Sequence, residues 1–439
     1  MIRIAQFSDL HYSNKNLQEA DRCFTYAVDH AIAMEVDAAV ISGDATDHAL
    51  DVHAPAVERL ARNVRRLADH CPILMLQGTY THEPPGTLSI FRLLGGRYPV
   101  HVADRIGQAA LTRDRRWIVS DGWRFERVPT DALALFSCVP TVNKAVVAAT
   151  VGASASAETV GEQLAVLLRG FAPSNLAARE ARVPTIGVSH GTVYGCVTEH
   201  GVPMTGFDHE FTTGALFAAQ AQAFMLGHIH RHQAWEQQGR CIAYPGSIGR
   251  FHYGEDGEKG FLIWDIDASS AQFAWEPTPA KRTIDLCFEG KPDLGAIEAM
   301  TQEREIAGAF VRVRWNVPDE DRHEVDRHAI LKLLAAAAEV KLEGRILPIT
   351  RSRAAGISGT QTMADKVRLW AAAVDAKAKP LLACLDALQT GAPDGIATDI
   401  LHWQNESALS IETTTATAPS TGQRERPASD ARVDVFATA

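Results

Sequence analysis

Apolar positions follow two alternating rhythms along the first hundred residues. Short unbroken runs, IRIAQF, AAVIS and PILMLQ, read as buried strands. Between them, Leu17, Phe24, Val28 and Ala31, and then Val57, Leu60, Val64 and Leu67, fall at helical spacing. The alternation predicts the β-α-β-α-β order of an α/β domain. PVHVA, RWIVS and ALALFSCV continue as strands. Val160, Leu164, Leu167, Leu168 and Phe171 then mark a helix behind the low-complexity stretch AVVAATVGASASAET, which reads as mobile. Further apolar runs, PTIGVS, AFMLG, CIAYPG and GFLIWDI, close on Gly, Ser, His or Asp, so polar groups collect at strand ends where loops build sites.

Near residue 280 the pattern changes. AFVRVRW alternates as a strand, Ile330, Leu333, Leu334 and Ala337 form a helical stripe, and RILPITRSRAA reads as a second, Arg-rich strand. Met363, Val367, Trp370 and Val374 mark a terminal amphipathic helix broken near Pro380, with more helix to about Trp403. The tail SIETTTATAPSTGQRERPASD lacks the apolar content to join a core and reads as disordered. The expected organisation is an α/β domain over 1–279, a smaller α+β domain over 280–358, a helical region over 359–404 and a disordered tail over 405–439.

Composition narrows the classes without deciding the function. The 439 residues are 46% hydrophobic and 22% charged, an ordinary globular balance. A net charge of -10 argues against coating nucleic acid by bulk electrostatics, although bound divalent cations or a local basic patch reverse the field where they sit. The seven cysteines are scattered and form no Cys-x-x-Cys pair, as expected of buried thiols in a reducing compartment. No stretch approaches the ~18 apolar residues of a membrane span, and MIRIAQFSDLH has no signal-peptide core. The expectation is a cytoplasmic protein without membrane attachment.

Five polar segments stand out: SDLH (Asp9, His11), SGDATD (Asp44, Asp47), GTYTHE (Thr79 to Glu83), SHG (His190) and GHIH (His228, His230). Four directly follow an expected strand. Carboxylates and imidazoles gathered at adjacent strand ends suit two divalent ions sharing one Asp. In Asp-x-His and His-x-His, alternate residues of an extended segment point the same way. Asp47, His48 and Asp51 read as supporting or surface residues, with Asp47 able to orient a histidine. FDHEF (Asp208, His209, Glu210) has no strand-end placement and reads as a loop ion-pair network.

The ordered series resembles the calcineurin-like metallophosphoesterases, whose motifs run D-x-H, G-D-x-x-D, G-N-H-D/E, H and G-H-x-H. Within that family the chain is most similar to the SbcD-type DNA exonuclease subunit, through YPGSIGRFHYGEDGEKGFLIWDI (Tyr244 to Ile266), VRVRW followed by a helix, RILPITRSRAAGIS and the C-terminal helix. The resemblance implies an α/β metallophosphoesterase β-sandwich flanked by helices, with a smaller α+β capping domain and C-terminal helices. It implies one metal on Asp9, His11 and His230, and Asp44 bridging to a second on His190 and His228. Manganese is the expected ion, and mixed N/O ligands suit it. DNA is the implied substrate, positioned by Arg312, Arg314, Arg351 and Arg353. An SbcC-like coiled-coil ATPase is the implied partner of the C-terminal helices, and the likeness allows a homodimer.

LQGTYTHEPPG departs from G-N-H-D and aligns with it in two ways. Without insertion, Thr79 and Tyr80 replace the Asn ligand and the catalytic His. With two residues inserted after Gly78, Thr81, His82 and Glu83 stand in for Asn, His and Asp. The second alignment is favoured because it keeps an imidazole for acid-base work; it makes His82 and Asp44 the catalytic pair, with Thr81, Glu83 and Asp47 as ligands or supports. The expected function is a manganese-dependent DNA nuclease in repair or end processing. Two alternatives stay open: a small-molecule nucleotide phosphoesterase, and a catalytically weak structural subunit of an ATPase complex.

Overall fold

The computed structural model describes residues 1–48, 50–51, 53–94, 96–141, 160–202, 210–255, 257–347 and 356–399. Two sheets face each other. The first has the order β15-β14-β1-β2-β3-β4, with β1 Ile2–Phe7, β2 Ala38–Ile41, β3 Ile73–Leu76, β4 Val100–Ala103, β14 Gly260–Ile266 and β15 Ala271–Pro277. The second has the order β12-β13-β11-β8-β7-β5-β6, with β5 Gly107–Thr112, β6 Trp117–Val119, β7 Ala132–Val139, β8 Thr185–His190, β11 Ala223–Gly227, β12 Gln233–Gln237 and β13 Arg240–Tyr244. Strands β1 to β4 run parallel, as do β7, β8, β11 and β13. Parallel strands covered on both faces become continuous apolar runs, which is why IRIAQF and AAVIS lack alternation.

One core lies between the sheets, where Ile4, Val40, Leu74, Phe136, Val188, Met225 and Trp264 are all buried. Helices α1 (Leu17–Ala33) and α2 (Pro55–His70) cover the outer face of the first sheet, burying Phe24, Val28, Leu60, Val64 and Leu67. Helix α3 (Val160–Glu180) and the short α4 (Thr213–Ala218) share a core with the second sheet through Leu167, Phe171 and Leu216. The result is the expected β-sandwich flanked by helices. The stretch AVVAATVGASASAET lies outside the described residues.

Residues 283–347 form a three-stranded, all-parallel sheet, β16 (Thr283–Glu289), β17 (Phe310–Pro318) and β18 (Glu339–Leu347), with α5 (Leu294–Glu303) and α6 (Arg327–Leu333) as crossovers. Its core holds Ile297, Val311, Val313, Trp315 and Ile330. The last strand begins at Glu339, not at Arg345 as RILPITRSRAA suggests, because Val340 and Leu342 pack on that core. The charges between them hid the alternation. The chain separates by contact into Met1–Leu347 and Pro348–Ala439, so this sheet shares a compact unit with the sandwich.

In the second unit the described helices are α7 (Met363–Ala373) and α8 (Ala378–Thr390). Pro380 does not break a helix. It lies in the first turn of α8, where its missing N–H is no loss, and the interruption falls at Val374–Lys377. Ile357, Met363, Val367, Trp370, Leu381 and Leu388 line an almost wholly apolar groove of about 430 Å³. Among the described residues no helix is long and apolar enough to cross a membrane. The expected tail over 405–439 lies outside the described residues.

Candidate metal centre

Five strands deliver the polar segments to one place. SDLH follows β1, SGD follows β2, QGT follows β3, His190 ends β8 and HIH follows β11. Asp9, His11, Asp44 and His228 have φ of 50°, 46°, 51° and 106°. This left-handed region costs a non-Gly residue ~1 kcal/mol or more. The segments are therefore turned rather than extended, which corrects the expectation that alternation aims the pairs. Leu10 and Ile229 are instead buried while their neighbours face the site. Cross-links hold the turns: Asp9 N donates to Gly43 O (3.1 Å), His11 N to Asp44 O (3.0 Å) and His228 N to Asp9 Oδ2 (3.1 Å).

The loops are packed too closely for side chains beside the ligands. A Cβ at Gly227 would collide with Ser42 O, Ser8 Oγ and His190 Nδ1, and one at Gly43 with the His190 ring. The glycine that precedes Asp44 and the one that precedes His228 are thus steric requirements of bringing two sheets together. Behind them, Gln6 Nε2 donates to Ser42 Oγ (3.2 Å) and Leu226 O (2.9 Å), and accepts at Oε1 from Trp264 Nε1 (2.9 Å). Every one of these groups is buried, and the network ties β1 to β2, β11 and β14.

Two ligand groups result. In the first, Asp9 Oδ1 lies 3.9 Å from His11 Nε2 and 3.8 Å from His230 Nε2, and those two nitrogens are 2.9 Å apart. Asp9 Oδ1 is buried and has no hydrogen-bond partner among the described residues. A bare carboxylate oxygen facing two imidazole nitrogens is the donor set of a cation, and ligand atoms ~2.0–2.2 Å from one ion have such mutual spacings. The second group is Asp44, His190 and His228. His190 Nε2 lies 3.2 Å from Asp44 Oδ2, while its Nδ1 donates to Ser42 O at 2.9 Å, which leaves Nε2 facing inward. Asp44 also falls within ligand distance of His11 and His82, so it stands between the groups. The two clusters fit a binuclear metal site.

The electrostatics agree with this donor set. Burial, and then the charge of Asp44, push Asp9 up to about 6. Burial also favours protonation of Asp44, but His190, His11 and His82 outweigh it and hold Asp44 below the ordinary carboxylate range. Burial lowers His11 and His228 to about 4, and burial, with help from His11 and Lys259, holds His230 well below the ordinary histidine range. Three of the four candidate imidazoles are thus neutral, the form that binds metal. His190 is the exception: burial opposes its charge, yet Asp44 raises it to about 9. Asp44 and His190 would together hold a cation in place of that proton.

The turn after β3 combines the two alignments of GTYTHE. Thr79, not Thr81, stands at the second group: its Oγ1 is 3.2 Å from both Asp44 Oδ2 and His190 Nε2, and its N–H donates to Asp44 Oδ1 at 2.6 Å. Thr81 is exposed, which corrects its placement as ligand. One helical turn, with His82 N and Glu83 N on Thr79 O, then brings His82 back over the site, its ring centroid 4.8 Å from that of His11. Its Nδ1 lies 3.1 Å from Asp47 Oδ1, off the line of a hydrogen bond; Asp47 shifts the ring's pKa upward. Asp47 also accepts from Asn16 Nδ2 (3.3 Å) and lies 2.6 Å from His48 Nδ1.

Glu83 belongs to neither ligand group. It is fully buried and accepts from the N–H groups of Ala45 (2.6 Å), Thr46 (3.3 Å) and Gly78 (2.5 Å), so it ties the turn after β3 to the one after β2. Arg312 and Arg314 are not brought to the centre. Both fork onto Asp285, and Arg312 also lies over Tyr253, 4.8 Å from the ring centroid. Arg351 and Arg353 lie outside the described residues, as do Asp208 and His209, while Glu210 pairs with Thr192 in a two-residue parallel ladder. Sequence reasoning missed Gln6, Ser42 and Lys259, and it put Thr79 at the ligand position only in the alignment it did not favour. The available signal was a lone polar residue inside an apolar run, as Gln6 is in IRIAQF.

Neither family models nor curated proteins match the chain. Solved structures do. The anchor in the inner membrane complex of Plasmodium is similar at 13% identity over 63% of this chain and 84% of that one, with a TM-score of 0.38. A dimetal phosphatase from Danio rerio is similar at 10% identity over 62% and 98%, TM-score 0.36. A phosphopantetheinyl hydrolase from Mycobacterium tuberculosis is similar at 12% identity over 56% and 89%, TM-score 0.27. At such values it is the ligand geometry that carries the functional reading.

Proposed function

We propose that this chain is a two-metal phosphoester hydrolase. The observation that carries the reading is the position of Asp44, within ligand distance of His11 on one side and of His190 and His228 on the other, beside an unpartnered Asp9 oxygen. When bound, divalent ions supply Lewis acidity toward phosphoryl oxygens and lower the pKa of water. The chain's own residues do the rest. Asp44 sets the spacing of the groups, Thr79 holds Asp44 by two contacts, and Ser42 fixes the His190 tautomer. With Asp47 beside Nδ1, His82 has Nε2 free to carry a proton to the leaving oxygen.

The finer reading is a manganese-dependent DNA phosphodiesterase with an SbcC-like ATPase on its C-terminal helices. It is supported by the Tyr244 to Ile266 motif and by the apolar groove of α7 and α8. A specific observation favours small phosphoesters instead: Arg312 and Arg314 share the carboxylate of Asp285, and Arg312 also lies 3.8 Å from Glu343, so both guanidinium groups are already paired within the sheet rather than free for a phosphate backbone. The test is hydrolysis of labelled duplex DNA, nucleotides and p-nitrophenyl phosphodiesters at rising manganese. Asp44→Ala should lose about a thousandfold or more in rate on whichever substrate is cut, together with bound metal. Cleavage of duplex alone supports the nuclease, cleavage of small esters alone the second reading. No hydrolysis at saturating manganese would overturn both.

A further inference from the structure

Lys259 and Glu255 form an ion pair with wholly buried side chains, Nζ to Oε2 at 2.5 Å. Such burial costs several kcal/mol per ion, and an apolar pair of similar volume often folds as well or better. Stability alone does not account for it. The surroundings do: Lys259 Nζ donates to His230 O at 3.0 Å, and Ser247 N approaches the same carbonyl at 3.4 Å. Glu255 Oε1 accepts from Phe251 N (3.2 Å) and His252 N (2.7 Å). The Phe251 ring in turn packs edge-on against His11, centroids 5.4 Å apart at 78°.

Both imidazoles of the first group therefore lean on this one pair. His190, in the second group, is oriented through its own ring by Ser42 O. His230 is not: its Nδ1 is buried and has no hydrogen-bond partner among the described residues. Ligating histidines are ordinarily oriented through that second nitrogen. His230 is held from its main chain instead.

We infer that Lys259 and Glu255 are positioning residues for one metal only, setting the affinity of the Asp9–His11–His230 group through the His230 carbonyl and the Phe251 ring. The inference rests on the two-metal reading. Manganese titration of metal-stripped, full-length protein, followed by electron paramagnetic resonance of the free ion, separates the groups in two backgrounds. His190→Ala leaves the first group to report, and His230→Ala the second. Lys259→Met combined with Glu255→Leu, which removes both charges together, should weaken manganese about tenfold or more in the first background. It should change affinity less than twofold in the second, with the melting temperature in chelator close to the parent's. Lys259→Arg keeps the charge and displaces the donor, so a several-fold loss confined to the first group is expected there too, even if the double variant fails to fold. Unchanged first-group affinity in Lys259→Arg, or equal losses in both groups, would overturn the inference. A parent that binds fewer than two ions would overturn the two-metal reading itself.

Discussion

At the scale of single residues, the centre is built from side chains that nothing else in the fold would keep. Thr79 illustrates this. Its hydroxyl meets both Asp44 and His190, so Thr79→Ala should weaken the second metal about tenfold while Thr81→Ala changes little. Thr79→Asn, offering an amide oxygen, should tighten it; manganese titration checks all three. Gly227 makes the opposite point, since any Cβ there meets Ser42 and Ser8. Gly227→Ala should cost about 3 kcal/mol or more, visible in a denaturant melt without metal. The ligand residues were legible in the sequence because their types are rare and their order is specific. Thr79 was legible only through the alignment without insertion, because bringing both Thr79 and His82 to the centre depends on one helical turn between Gly78 and Glu83 that no spacing rule encodes.

Among the elements, legibility followed burial. The strands covered on both faces, β1, β2, β3, β8 and β11, stood out as apolar runs, whereas β12, with intermediate and exposed positions, and the one-sided β15 did not. The same physics hid the start of β18 behind Lys341, Glu343 and Arg345. Helices α7 and α8 keep Trp370 and Leu388 substantially exposed, and no metal-centre residue comes from them. Deleting residues 356–439 should therefore leave manganese affinity within twofold and the melting transition of the remaining chain within a few degrees. Calorimetry with and without manganese measures both.

For the whole molecule, acid sensitivity includes imidazoles withdrawn from solvent as well as carboxylates held low, such as Asp44. His101, half-buried on β4, is lowered to about 4 by desolvation first and then by Arg92. It stays neutral in the folded chain and gains a proton near pH 6.5 when unfolded. Its contribution is fully present above pH 6.5 and is lost as pH falls toward 4. His101→Gln should flatten the fall in melting temperature between pH 7 and 5, measured in chelator so that metal loss does not intrude. Neither the depth of His101 nor the pairing that encloses it was readable from the pattern, since PVHVA reads alike at any burial.

That enclosing sheet is joined in an order that the chain's synthesis cannot follow. Strand β1, which ends at the turn bearing Asp9 and His11, pairs on one side with β2 and on the other with β14, Ile2 opposite Ile266. A growing chain meets β2 at once, but β14 emerges only after both sheets' other central strands. Until then β1 presents an open, apolar edge to solvent. Contacts so distant in sequence form late and slowly. Strand β1, which supplies the first ligands, therefore carries an edge open to wrong partners until β14 is made.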